Sequence, residues 1–342
     1  MPVSPPGRAQ LRTEAEDFQV VELPAFEASG AGEHLLLRVR KRGVNTEWLA
    51  GQIARWAGVS RGAVGYAGRK DRHALAEQWF SVHLPGRPSP DLESFGVTGA
   101  ALLGACRHHR KLQRGALRGN AFCITLHQIE GEPAAITAAL QRLGAQGFAN
   151  YYGSQRFGAG ARNLLDWTAA PERRRASRDR RGLMLSAARS LLFNQVLAAR
   201  VSDGSWDCVL PGDVLALDGT QRWFTSPDPA DQALLARAAA LDVHPTGPLW
   251  GRGEPPSSGP VRALEQSVLA GFELLRAPLE AAGLRQERRP LRAPARQLCW
   301  HWMGPRSLRI SFQLPRGSFA TSALESVFAL HEPARLSEGD GT

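Results

Sequence analysis

The sequence is poor in cysteine and has no long apolar run. Its four cysteines, Cys106, Cys123, Cys208 and Cys299, lie far apart. Neither a C-x-x-C metal signature nor a dense disulfide framework is present, so reduced thiols in a cytoplasm are expected. No uninterrupted apolar stretch approaches the roughly 18 residues that a membrane helix needs. The start, Met1-Pro2-Val3-Ser4-Pro5-Pro6-Gly7, lacks the apolar core of a signal peptide. These absences predict a soluble chain with no membrane partner. No Gly-Lys-Ser/Thr follows the glycines around Gly153, Gly158 and Gly160, which argues against a Walker-type phosphate loop. Nothing resembles a repeat or a coiled-coil seam, and a monomer is the expectation.

Present instead are 342 residues, 43% of them apolar, enough for two domains of ordinary size. Forty-two Lys and Arg against 32 Asp and Glu leave a net charge of +10, which points to an anionic partner such as nucleic acid. Part of the excess is concentrated. Arg107, Arg110, Lys111, Arg114 and Arg118 share one stretch with His108 and His109 and no carboxylate. Such a segment suits phosphate contact, and it serves equally as a solvated loop. Adjacent histidines diverge and no third ligand is evident, so no metal is expected. A second cluster holds Arg173, Arg174, Arg175, Arg178, Arg180 and Arg181 against only Glu172 and Asp179.

The stretch Gly65-Tyr66-Ala67-Gly68-Arg69-Lys70-Asp71-Arg72-His73-Ala74-Leu75-Ala76-Glu77-Gln78 places one carboxylate, Asp71, between two cations. A carboxylate so placed can serve as a nucleophile. Taken alone, the triplet is more often a charged surface turn. Upstream, His34 to Arg40 alternates as a strand, and Thr46 is placed to cap a helix carrying Leu49, Ile53 and Trp56. Downstream, Phe122, Ile124 and Leu126 share a strand face with Asn120 if the strand extends that far. An amide beside an aromatic at a strand end can read a base edge while the ring stacks, although core packing accounts for Phe122 more readily. Pro133 opens a helix with Ile136, Leu140 and Leu143 on one face. Ser186 is placed to cap a strongly apolar helix. The composition shifts to Pro, Gly and Ala beyond Pro211, which suggests a separate module between about 146 and 293. Leu308, Ile310, Phe312 and Leu314 form another strand face, and Phe319 falls at a strand-to-helix junction before an apolar helix reaching Leu330.

Taken in order, five segments resemble the motifs of TruD-type tRNA pseudouridine synthases: Glu16-Asp17-Phe18-Gln19-Val20, Gly65 to Gln78, Gly119-Asn120-Ala121-Phe122, Asn150 to Gly158 and Gly317-Ser318-Phe319-Ala320-Thr321-Ser322. The segment Ser186 to Gln195 is similar too, so the resemblance spans about residues 11 to 330. It implies an α/β fold of the α+β type: a catalytic domain with a mixed, mostly antiparallel sheet, formed by 1–145 and 294–342, interrupted by an inserted α/β TRUD domain at 146–293. The implied activity is isomerisation of a flipped-out uridine to pseudouridine in tRNA, at position 13, without cofactor or metal. Residue by residue, the resemblance makes Asp71 the catalytic aspartate, sets Phe18, Asn120, Phe122 and Phe319 against the target nucleotide, and offers Arg12 as a basic partner of Asp71. Tyr152 stands where the family pattern has Phe. Whether Asp71 attacks C1′, attacks C6 or assists a glycal route stays open, as do two rivals: a non-catalytic RNA-binding or tRNA-folding protein, and a pseudouridine synthase for another RNA.

Overall fold

The computed structural model describes residues 4–169, 178–227 and 230–333; Arg173, Arg174 and Arg175 of the second basic cluster lie outside them. In chain order, β1 (Gly7–Leu11), β2 (Phe18–Pro24) and β3 (His34–Lys41) precede α1 (Thr46–Trp56). β4 (Val64–Tyr66), β5 (Leu75–His83), β6 (Ala100–His108) and the long β7 (Leu117–Gly131) follow. Next come α2 (Pro133–Gln146), β8 (Phe148–Ala149), α3 (Arg162–Ala169), α4 (Arg178–Ser202), β9 (Val214–Leu217), β10 (Trp223–Thr225) and α5 (Gln232–Ala239). After these are β11 (Val243–Leu249), α6 (Gly259–Leu269), α7 (Glu273–Ala281), β12 (Glu287–Pro290) and β13 (Arg292–Ala293). The chain closes with β14 (Arg296–Gly304), β15 (Ser307–Pro315), α8 (Ala320–Leu324) and β16 (Phe328–His331).

These elements form two compact units. The first comprises Gly7–Ala135, Arg296–Gly317 and 328–333, and holds a ten-stranded sheet whose main path runs β14-β15-β7-β2-β5-β3-β6. β1 joins β7 and β16, and β4 joins β5. The pairs β2 with β5 and β1 with β16 are parallel and the rest are antiparallel. The sheet is therefore mixed and mostly antiparallel, as the resemblance implied. On one face α1 packs Leu49 and Ile53 against Leu35, Leu37, Val39, Phe80 and Val82, the burial expected of alternating apolar strands under an amphipathic helix. Further along the sheet, Val20 lies opposite Phe122, Glu22 opposite Asn120, and Phe312 and Leu314 opposite the same two β7 residues. Residues directly opposite in a sheet point to one face, so Glu22, Asn120, Phe122 and Phe312 share it.

The second unit, Ile136–Ala295 with Ser318–Val327, contains the four-stranded antiparallel sheet β10-β9-β11-β12 and the short pair β8-β13. α4 is long and apolar enough to cross a membrane by length and composition. Here it is a core helix instead: Met184, Ala188, Leu192 and Val196 pack on Leu269, Leu275 and Leu279 of α6 and α7, while Phe193 and Leu197 pack with Leu291. Near its end Arg200 meets Asp213 in a buried two-pronged ion pair of 3.0 and 3.1 Å.

Three expectations are corrected. The cap of α1 is Asn45, whose side chain accepts from Glu47 N and Trp48 N; Thr46 sits one residue inside, with its hydroxyl engaged elsewhere. Ser186 lies within α4, whose described residues begin at Arg178, because Arg178 to Leu185 already belong to the helix, with Met184 packed in its core. The apolar stretch after Phe319 makes only the short α8 and then β16, since Phe328–His331 pairs in parallel with Gly7–Gln10 of β1. Apolar run length alone does not separate a helix from a buried strand.

Gly119, beside Asn120, marks where β7 and β15 approach most tightly: a Cβ there would stand 2.1 Å from the carbonyl oxygen of Leu314. Gly119→Ala should force the strands apart and destabilise the first unit by about 1–3 kcal/mol, read as a lower urea midpoint. An unchanged midpoint would mean that the pairing yields at no cost.

Candidate active site

The loop from Ala67 to Ala74 carries Asp71, and its backbone is held from several sides. Gly115 N donates to Ala67 O (2.7 Å), and Gln78 Nε2 to Gly68 O (2.5 Å). Lys70 N donates to Thr46 Oγ1 (3.0 Å), and that hydroxyl donates to Gln78 Oε1 (3.0 Å). Lys41 Nζ, fully buried, donates to Asp71 O (2.7 Å) and Val44 O (2.8 Å). Buried backbone groups need such partners; Thr46 and Gln78 face inward to supply them, which is why Thr46 does not cap α1.

The Asp71 carboxylate is engaged at both oxygens. Oδ1 accepts from His73 N (3.0 Å), closing a local turn. Oδ2 lies 3.0 Å from Arg12 Nη2; the arginine side chain is 6% exposed and the aspartate side chain 25%. Asp71 is thus fixed in orientation yet open to solvent. Arg12 also pairs with Glu332, and its guanidinium lies over the Phe18 ring, 4.3 Å from the centroid. Its φ of +61° is in the left-handed region, a strain on the order of 1–2 kcal/mol for a residue with a side chain. Such a conformation persists where surrounding contacts over-determine it, and the two carboxylates with the ring do so here. The cations flanking Asp71 in sequence go elsewhere: Arg72 Nε donates to Gly43 O (3.0 Å), while Lys70 reaches Glu22 and Asn120.

The structure thus gathers Asp71, Arg12, Phe18, Asn120 and Phe122 in the first unit. Phe18 and Phe122 are buried at 5% and 9% exposure, their rings edge to face at 6.0 Å, and Phe122 stacks on Phe312 at 5.5 Å. Phe319 belongs to the second unit. It is half-buried at the start of α8, with its ring edge to face with Tyr152 at 6.3 Å. Tyr152 in turn packs under the guanidinium of Arg289 (4.0 Å to the centroid). Among the described residues no group of three His, Cys, Asp or Glu could hold a metal ion. In the first basic stretch Arg107 and Arg118 donate to the backbone carbonyls of Arg87 and Pro24, whereas Arg110 and Arg114 are exposed.

Sequence reasoning missed Lys41, Thr46, Gln78 and Glu22 as parts of this site. One signal was available. Lysine occurs only three times in the chain, as Lys41, Lys70 and Lys111, and arginine carries nearly all of its positive charge. Two of those three lysines are buried beside Asp71.

With this geometry in view, the chain's relatives are informative. The family model described as tRNA pseudouridine synthase D (TruD) matches residues 4–164 and 174–327. The tRNA pseudouridine synthase D of Xanthomonas campestris pv. campestris (strain B100) is 47% identical over 96% of this chain and 93% of that protein. That of Pseudomonas aeruginosa (strain LESB58) is 45% identical over 95% and 91%. The crystal structure of a candidate tRNA pseudouridine synthase D from Methanosarcina mazei shares the fold, with a TM-score of 0.69 at 22% identity, over 94% of this chain and 93% of that one. The mixed sheet described above thus has the fold of that crystal structure. The chain belongs to the TruD family of tRNA pseudouridine synthases.

Burial pushes the Lys41 ammonium down from its ordinary 10.5; the nearby Asp71 charge raises it and Lys70 lowers it further, leaving it at about 8. Because the folded value is the depressed one, the stability this group contributes is present above pH 10.5 and is lost as pH falls through about 8. A carbon-13 label at Lys41 Cε should titrate near pH 8. The difference in melting temperature between wild type and Lys41→Met should change between pH 8 and 10. A Cε midpoint above 10 would contradict the effect of burial.

Proposed function

We propose that this chain isomerises uridine to pseudouridine in tRNA, at position 13, with Asp71 as the catalytic carboxylate acting on a flipped-out nucleotide. The observation that carries this reading is the pairing of a quarter-exposed aspartate with the buried, strained Arg12. An ordinary surface carboxylate needs neither a fixed rotamer nor a left-handed arginine. The reaction breaks the N1–C1′ bond, turns the uracil within the site and joins C5 to C1′, with loss of the C5 proton and gain of one at N1. The chain must accordingly hold both fragments and keep bulk water away. Arg12 and His73 N keep the Asp71 oxygens aimed while leaving each a lone pair for the substrate. Phe18 and Phe122, buried as they are, offer the base their edges as an apolar floor, and Asn120 offers a hydrogen bond. Phe319 is the more exposed aromatic and is suited to stacking. Arg110 and Arg114 supply phosphate contacts.

In the same reading the catalytic domain is discontinuous and residues 146–293 are its inserted domain. The protein acts as a cytoplasmic monomer on tRNA and needs neither cofactor nor metal.

Asp71→Asn should abolish pseudouridine formation in an unmodified tRNA transcript while leaving tRNA affinity within a factor of a few, since the carboxylate is not a phosphate ligand. Tritium release from 5-tritiated uridine reads the first quantity and filter binding the second. Retention of more than a few per cent of turnover would remove Asp71 from its role. A transcript with cytidine at position 13 should release no tritium above background; release at the wild-type rate would shift the target to another uridine.

A further inference from the structure

Lys70 is nearly out of solvent, its side chain 9% exposed, with Nζ 2.8 Å from Glu22 Oε1 and 2.8 Å from Asn120 Oδ1. Glu22 is buried as well, its side chain 1% exposed, and its second carboxylate oxygen accepts from Trp79 N at 2.8 Å. Glu22 and Asn120 stand opposite each other on β2 and β7, so one ammonium bridges a cross-strand pair on the face that carries Phe122.

An ammonium donates and never accepts, so the Asn120 atom facing it must be the oxygen. Amide orientation is ordinarily ambiguous and has to be assigned from the surrounding partners; here one partner settles it. With the oxygen held inward, the two amide N–H donors of Asn120 face away from Lys70, and they make no hydrogen bond to the described residues. We propose that Lys70 is a positioning residue that fixes the polarity of Asn120, so that the site presents N–H donors to a carbonyl oxygen of the target base, with Glu22 as the counter-charge that keeps Lys70 buried. This rests on the function proposed above.

The chemistry gives the arrangement a use. Uracil offers two acceptors, O2 and O4, and one donor, N3–H. An amide free to rotate serves either kind, whereas one pinned oxygen-inward serves only acceptors. Where the amide faces the C4 edge, cytosine's amino donor at C4 meets it donor to donor. A lysine at this position supplies a compact point charge with three donors, shared between Glu22 and Asn120.

The experiment uses the full-length protein and tRNA transcripts carrying uridine, 2-thiouridine or 4-thiouridine at the target, since sulfur accepts hydrogen bonds poorly. Wild type should be about tenfold slower on one of the two thio transcripts, the cost of one hydrogen bond in a desolvated site. Lys70→Met should lose about tenfold in kcat on the uridine transcript with little change in KM. It should also lose most of the thio preference, and add no loss in an Asn120→Ala background. Because Lys70→Met strands the buried Glu22, the charge-neutral pair Lys70→Met with Glu22→Gln is measured alongside. It should melt within a few degrees of wild type and show the same lost preference.

If wild type forms no pseudouridine on any transcript, the functional reading fails and this inference with it. Four outcomes sink the inference alone: wild-type turnover without thio preference, a preference kept by Lys70→Met, losses that add to those of Asn120→Ala, or a loss confined to KM that grows with salt, which would make Lys70 a phosphate contact.

Discussion

A buried cation is tolerated only where acceptors are already in place, and at the end of this sheet three such cations converge on one short loop. Lys41 is spent on two carbonyls, one of them that of Asp71 itself. Arg12 is shared between Asp71 and Glu332 over an aromatic face, and Lys70 between Glu22 and Asn120. Each side chain has one satisfactory arrangement, and together they leave the loop little freedom. Asp71 is what this arrangement exposes. Its neighbours Thr46 and Gln78 complete the support by meeting the loop backbone from α1 and β5.

The sheet makes such placement possible. β2, β7 and β15 pair over long registers, and a site built on strands is held more closely than one built on loops. Glu22, Asn120, Phe122 and Phe312 face one way because the pleat has a period of two residues. Gly119 sets how near β15 comes to the residue that carries the amide. The phenylalanines are correspondingly deep, packed on each other and on Phe312, so core packing, the plainer reading of Phe122, describes most of its surface.

In the second unit the same logic acts on a helix. α4 is apolar on more than one side because it is covered on more than one side, by α6 and α7 and by Leu291. Its buried Arg200 is balanced by Asp213. Tyr152, which stands where the family pattern has Phe, keeps its ring between Phe319, Phe193 and Arg289.

Local periodicity alone determined the alternating faces of β3, β7 and β15, the sharing of a face by Asn120 and Phe122, and, with its helical repeat, the helix opened by Pro133, because all of these depend on local spacing. Ordered motifs determined the family. The sequence did not determine where the first and last stretches go: β16 is a strand only because β1 lies beside it, and Thr46 leaves the cap of α1 only because Lys70 N and Gln78 come within reach. The resemblance offered Arg12 as the partner of Asp71 while local spacing offered Lys70 and Arg72, and the choice between them was decided in three dimensions. Adjacent side chains on a turn diverge, so Lys70 and Arg72 were carried off to Asn120, Glu22 and Gly43, and Arg12, some sixty residues away along the chain, was brought to the carboxylate by the pairing of β1 with β7.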